Sequence, residues 1–182
     1  MYIFIAALLL NSVLTSTTVY PKLLIDILSE KQVITFSACL LQCFIYYSVS
    51  ASDFLLLAAM AYDRYVSICK PLQYTTIMTK NVVSVILGVA WVLPACQVAA
   101  STILSAQMKL CNFTLKAIFC NNSYYNLFCV ASVGLSINDM VTTFNVVVLP
   151  ILFILFTYTR ILIISYRSGR NVRKKAAQTC SP

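Results

Sequence analysis

Asn81 to Met108 reads NVVSVILGVAWVLPACQVAASTILSAQM and contains no charged side chain. A helix needs about 20 predominantly apolar residues to cross the hydrocarbon core of a bilayer, and this run is long enough. Three other stretches share its character. Residues 2–21 and 140–159 carry no charge, and residues 32–62 carry one, Asp53. All four are continuous in their apolar character, unlike the alternating strands of about 10 residues that build outer-membrane barrels. The expectation is an all-α membrane protein with spans over about 3–28, 34–67, 81–104 and 138–166.

Composition agrees. The chain is 60% hydrophobic and 10% charged, with a mean hydropathy of +0.87, whereas soluble domains hold about 45–50% apolar and about 25% charged residues. Three Gly and five Pro argue against a low-complexity chain. The net charge of +8 would suggest nucleic acid in a soluble protein. Here the basic residues follow apolar segments, so the expected partner is the lipid bilayer and not nucleic acid. The absence of His removes the commonest acid–base catalyst and metal ligand, and no metal or cofactor is expected. The N-terminus MYIF has no basic region and no following cleavage site, so it does not read as a signal peptide. The chain reads as a fragment.

Orientation follows from Lys and Arg. One side of the membrane receives Arg64, Lys70, Lys80, Arg160, Arg167, Arg170, Arg173, Lys174 and Lys175, and the other only Lys22, Lys31, Lys109 and Lys116. The richer side is expected to be cytoplasmic, which places loop 68–80 and the C-terminal tail there and loop 105–137 outside. That loop holds two glycosylation patterns, at Asn112-Phe113-Thr114 and Asn121-Asn122-Ser123, and three cysteines, Cys111, Cys120 and Cys129. Glycans and disulfides both belong to the outer face. Cys39 stands at the same end of the second span. Four cysteines allow three connectivities, and Cys39 could equally be a small buried apolar residue. Cys43 and Cys96 lie inside spans and read as packing residues, while Cys69 and Cys180 are expected to be free thiols.

At the other end of the second span stands Met60–Tyr74, MAYDRYVSICKPLQY. This run resembles the signature of odorant (olfactory) receptors, a branch of the rhodopsin-like G-protein-coupled receptors. The likeness extends along the whole chain. Met1–Phe4 resembles the start of that family's second transmembrane helix, Trp91 the Trp of its fourth, Pro150 and Tyr158 the Pro and Tyr of its fifth, and Lys175–Pro182 the approach to its sixth. The overall likeness also extends to fish members. The resemblance implies that the spans are helices two to five of a seven-transmembrane-helix bundle, with one span before Met1 and two after Pro182. It implies disulfides Cys39–Cys120 and Cys111–Cys129. It further implies a receptor, not an enzyme, that binds a small-molecule odorant and activates a heterotrimeric G protein at the plasma membrane.

Roles for individual residues follow from the same likeness. Arg64 by itself reads as a terminal arginine reaching for headgroups; the resemblance makes it the residue released on activation to help form the G-protein pocket. Asp63 would restrain it, Tyr65 completes the triplet, and Tyr158 would stabilise the released state. Asp53 lies 11 positions before Arg64, close to three turns, so both share roughly one face. Tyr46 and Ser50 fall near that face, with Tyr47 and Phe54 beside it. The expectation is a ligand pocket lined by Tyr46, Tyr47, Ser50 and Phe54, with Thr142, Thr143 and Val146 opposite in a stretch that also holds Asp139, and floored by a polar network at Asp53. The plainer reading of the same residues is interhelical hydrogen bonding and aromatic packing, and for Asp53 a structural or signal-relay role is the favoured one. The first span carries Asn11 and Ser12 where many rhodopsin-like receptors carry a sodium-binding Asp, so that site is not expected. Hydroxyls at Thr15 to Thr18 are expected to bond back to their own helix.

Three alternatives compete with this reading. A transporter or channel fragment would show inverted repeats or pore-lining charges, and neither is visible. A membrane enzyme would need a nucleophile–base pair. A non-odorant rhodopsin-like receptor is the nearest competitor, and the long Met60–Tyr74 run with the three-cysteine loop favours the odorant branch.

Overall fold

The computed structural model describes residues 2–28, 34–112, 120, 122–130 and 132–179, with side chains throughout except at 122–124, 167, 168 and 170–179. Lys31, Lys116 and Cys180 lie outside the described residues, as do the side chains of Arg167, Arg170, Arg173, Lys174 and Lys175. Helix α1 covers Tyr2–Leu28 and α2 Phe36–Cys69. A 3₁₀ turn at Pro71–Gln73 and the one-turn α3, Tyr74–Ile77, lead into α4, Lys80–Ala106. Then come a 3₁₀ segment at Asn122–Leu127, α5 at Val133–Thr143, a π-helical turn at Phe144–Val148, and α6 at Leu149–Thr179. Among the described residues, four segments have the length and apolarity to cross a membrane: Tyr2–Leu28, Phe36–Cys69, Lys80–Ala106 and Val133–Tyr166.

The helix starts are written locally. Thr35, Thr79 and Ser132 sit in extended backbone, and their hydroxyls accept from the amides of Ala38, Val82 and Leu135. Each thereby satisfies one of the donors that a helix leaves unpaired at its N-terminus. The cap at Ser132 carries the fourth span further back than the expected start at 138, and the third runs on to Ala106. Pro71 closes α2, since the residue before a proline is pushed out of helical backbone; Lys70 has φ −136° and ψ 55°.

Helix α2 is the axis of the bundle, packing against α1, α4 and α6. It is also the most buried span, with 33% of its apolar window inside the fold. Elsewhere the apolar surface faces outward: Leu9, Val85, Ile103, Leu155 and Leu162 are all exposed. In water such a surface would be an association patch; in a bilayer it is the lipid face.

Two buried clusters and one polar node hold the helices in register. Mid-span, Ala7, Leu56 and Ala90 bring α1, α2 and α4 together, with Trp91 against them. Beside this cluster Asn11, wholly buried, donates through Nδ2 to the Val49 carbonyl and to Asp53 Oδ1, both at 2.7 Å, and accepts from Trp91 Nε1 at 3.3 Å. Thr15, Ser16, Thr17 and Thr18 bond back to carbonyls three or four residues earlier, as expected.

At one end, Cys39, Leu40 and Cys43 of α2 pack with Cys120 and Leu127 of the long loop. Both disulfides implied by the resemblance are formed: Cys39–Cys120 with Cα atoms 5.3 Å apart, and Cys111–Cys129 at 4.9 Å. Beside them the loop makes a small antiparallel bridge, Leu110 with Phe128, closed by Cys111 N to the Leu127 carbonyl and Cys129 N to the Lys109 carbonyl. Of the cysteines expected to pack inside spans, Cys43 is buried but Cys96 is exposed. The expectation for Cys96 is corrected, because that position of α4 turns away from α2.

Candidate ligand cavity and receptor motif

The π turn sets one wall of the site. Pro150 has no N–H to return to the Val146 carbonyl, and its ring would crowd that carbonyl in a regular α-helix. The helix answers with a wider turn, in which the amide of Leu149 bonds back five residues to the Phe144 carbonyl. Such turns interrupt α-helices mostly at functional sites. This one buries Val146 and aims it, with Val147, at α2.

All seven residues expected at a ligand pocket line one cavity of about 310 Å³: Tyr46, Tyr47, Ser50 and Phe54 from α2, with Thr142, Thr143 and Val146 opposite. The Tyr46 and Tyr47 rings meet edge to face with centroids 5.2 Å apart. Sequence reasoning missed the third wall, where α4 contributes Val98, Ser101 and Thr102, and the loop residue Tyr125. The adjacent hydroxyls of Ser101 and Thr102 within an apolar span were a usable signal. Tyr125 offered none, since its position depends on how the disulfides fold the loop.

Asp139 organises this end of the cavity. Its carboxylate accepts from Ser101 Oγ at 2.7 Å and from the Tyr125 hydroxyl. Asn138 Nδ2 donates in turn to Ser101 Oγ at 2.7 Å. Three elements, α4, the loop and α5, are tied by this one group.

Asp53 does not floor the cavity, and that expectation is corrected. Its carboxylate is drawn to Asn11 on α1, and it is absent from the cavity wall. Phe54, at nearly the same depth, lines the cavity, so the difference is angular: Asp53 stands about 100° away around α2, on the side that meets α1.

At the far end of α2, Asp63 is buried at 3% exposure and accepts from the Tyr74 hydroxyl of α3 at 2.8 Å. That hydrogen bond raises the Tyr74 phenol above its ordinary value, with smaller contributions from burial and from the negative charge of Asp63. Arg64 is exposed and Tyr65 half-buried. Tyr158 is 50% exposed on α6. Immediately before Asp63–Arg64–Tyr65, Tyr62 meets Phe153 of α6 with ring centroids 6.5 Å apart. In the loop, Asn112 is exposed and its amide donates to the Asn126 carbonyl; Asn121 lies outside the described residues.

A family model described as 7 transmembrane receptor (rhodopsin family) matches residues 1–181. The chain belongs to the rhodopsin family of seven-transmembrane receptors. Among curated proteins, this rhodopsin-family chain is similar to human olfactory receptor 6J1, with 32% identity over 100% of the chain and 53% of the relative. It is likewise similar to human olfactory receptor 1N2, at 37% over 99% of the chain and 58% of the relative. The dog olfactory receptor-like protein OLF4 is 31% identical over 100% of the chain and 60% of its own length. The chain therefore spans somewhat over half the length of the curated relatives it matches. Members of this family are receptors and not enzymes, and they work as multi-pass membrane proteins.

Proposed function

We propose that this chain is the helix-two-to-five portion of an odorant receptor. In this reading a small molecule binds the cavity between α2, α4 and α5, and the Arg64 end then activates a heterotrimeric G protein. The observation that carries the reading is the convergence of Tyr46, Tyr47, Ser50, Phe54, Thr142, Thr143 and Val146 on one cavity beneath a loop tied by two disulfides. The olfactory receptors among its relatives support it.

Signalling needs no bond chemistry. A ligand that fits one arrangement of the helices better than another shifts the population toward it. The cavity touches α2 and the π turn, and both helices continue to the Arg64 end, where Tyr62 and Phe153 are in contact. Asp63, fixed by Tyr74, holds the local backbone of the Asp63–Arg64–Tyr65 triplet, and Arg64 with Tyr158 acts on the G protein. The disulfide loop lies outside the plasma membrane, with Asn112 and Asn121 as its glycosylation positions, and Arg64 and the tail lie in the cytoplasm, following the excess of Lys and Arg.

The test uses the full-length receptor with surface level and G-protein signalling measured together. Arg64→Ala should abolish signalling while leaving surface expression in place, and Tyr47→Ala should shift agonist potency. Undiminished signalling by Arg64→Ala would remove the coupling role.

A further inference from the structure

We infer that the cavity selects a small protonated amine, with the Asp139 carboxylate as its counter-ion. The inference rests on the reading of this cavity as the ligand site, and goes on to name the ligand's chemical class.

Among the described residues, Asp139 is the only carboxylate on the cavity wall, and none of those lining it is Lys or Arg. Among the described residues the ion pair formed is Lys22 with Asp26 on α1. Asp139 instead takes two neutral donors, the hydroxyls of Ser101 and Tyr125. These hydrogen bonds fix the orientation of the carboxylate. They leave acceptor capacity unused, since a carboxylate offers about four lone-pair sites. Ser101 is itself held by Asn138, so the acid is positioned before any ligand arrives.

The surroundings complete the match. Tyr46, Tyr47, Phe54 and Tyr125 line the same space, and aromatic faces attract ammonium groups. Val98, Val146 and Val147 supply apolar wall for a short hydrocarbon. A volume of about 310 Å³ is at the small end of ligand pockets. An anionic ligand would face the like charge of Asp139, and a neutral one would leave that charge without a counter-ion.

The experiment measures concentration–response curves for the full-length receptor in cells, with surface expression monitored. The probes are straight-chain primary amines from butyl to octyl, with alcohols and carboxylic acids of matching chain length. The wild type should respond to an amine at lower concentration than to the matching alcohol or acid. Removing one partner of a charge pair is costly, so Asp139→Asn should raise the amine EC50 at least about tenfold, and by more than it moves the EC50 of the matching alcohol. Asp139→Glu, which keeps the charge, should retain the amine preference. Tyr47→Ala should weaken amine and alcohol alike. An amine no more potent than its alcohol, no amine response from a receptor present at the surface, or an amine curve unmoved by Asp139→Asn overturns the inference. If Tyr47→Ala still shifts potency in that case, the cavity remains the ligand site and only the amine class falls.

Discussion

Asn11 shows how much a single polar side chain can do inside a bilayer. It has no exposed surface and serves three partners on two other helices. Interhelical hydrogen bonds in membranes average about 0.6 kcal/mol each, so Asn11→Leu should cost roughly 2 kcal/mol, visible as a lower melting temperature of the detergent-solubilised receptor. Trp91→Phe, which removes one bond, should cost about a third of that; equal losses for the two variants would contradict the node. A second residue-scale prediction concerns Tyr74. Its phenol is held above the ordinary value by Asp63, so it stays protonated to higher pH in the folded chain than in the unfolded one. That contribution is complete below about pH 10 and is lost as pH rises through the raised value. Among the chain's 11 tyrosines, Tyr74→Phe should remove a late-titrating component from the phenolate absorbance curve; a difference curve centred at or below the ordinary tyrosine value would contradict the Asp63 contact. Neither Asn11 nor Tyr74 could be assigned a partner from sequence, because their partners lie on other elements.

The elements themselves were largely legible. Charge-free runs fixed the number of spans, and Thr35, Thr79 and Ser132 mark three helix starts at hydroxyl residues. Periodicity placed Tyr46, Ser50 and Asp53 around α2, but it carries no information on which neighbouring helix each part of that face meets. That is why Ser50 lines the cavity while Asp53 turns to Asn11. The π turn was the main feature hidden from the apolar pattern, although Pro150 is its cause. Pro150→Ala restores the missing N–H and lets the span relax toward a regular α-helix. Val146 and Val147 should then rotate relative to α2, raising agonist EC50 several-fold with surface level maintained. An unchanged EC50 would show that the wide turn does not shape the site.

At the scale of the molecule, α2, α4 and α5 with the π turn enclose the cavity, and the loop that supplies Tyr125 is fastened by two disulfides. Cys39–Cys120 closes 81 residues of sequence separation and Cys111–Cys129 closes 18. In the loop-entropy treatment this difference makes the first bridge worth about 1.3 kcal/mol more than the second. Cys120→Ser should therefore lower the receptor's thermal stability more than Cys129→Ser, and the reverse order would contradict the entropic account. The pairing was available from the family likeness and not from the spacing, which left three connectivities open. The seven cavity residues were likewise placed by likeness, and the geometry brings them together beside Asp139 of α5 while adding Ser101 from α4 and Tyr125 from the loop. The most direct test of the account fills this space. Ser50→Leu and Thr143→Leu each add apolar volume to opposite walls, and agonist concentration–response curves for the full-length receptor are read at matched surface levels. The account predicts a marked rightward shift for both variants; curves superimposable on the wild type for both would contradict ligand binding in this cavity.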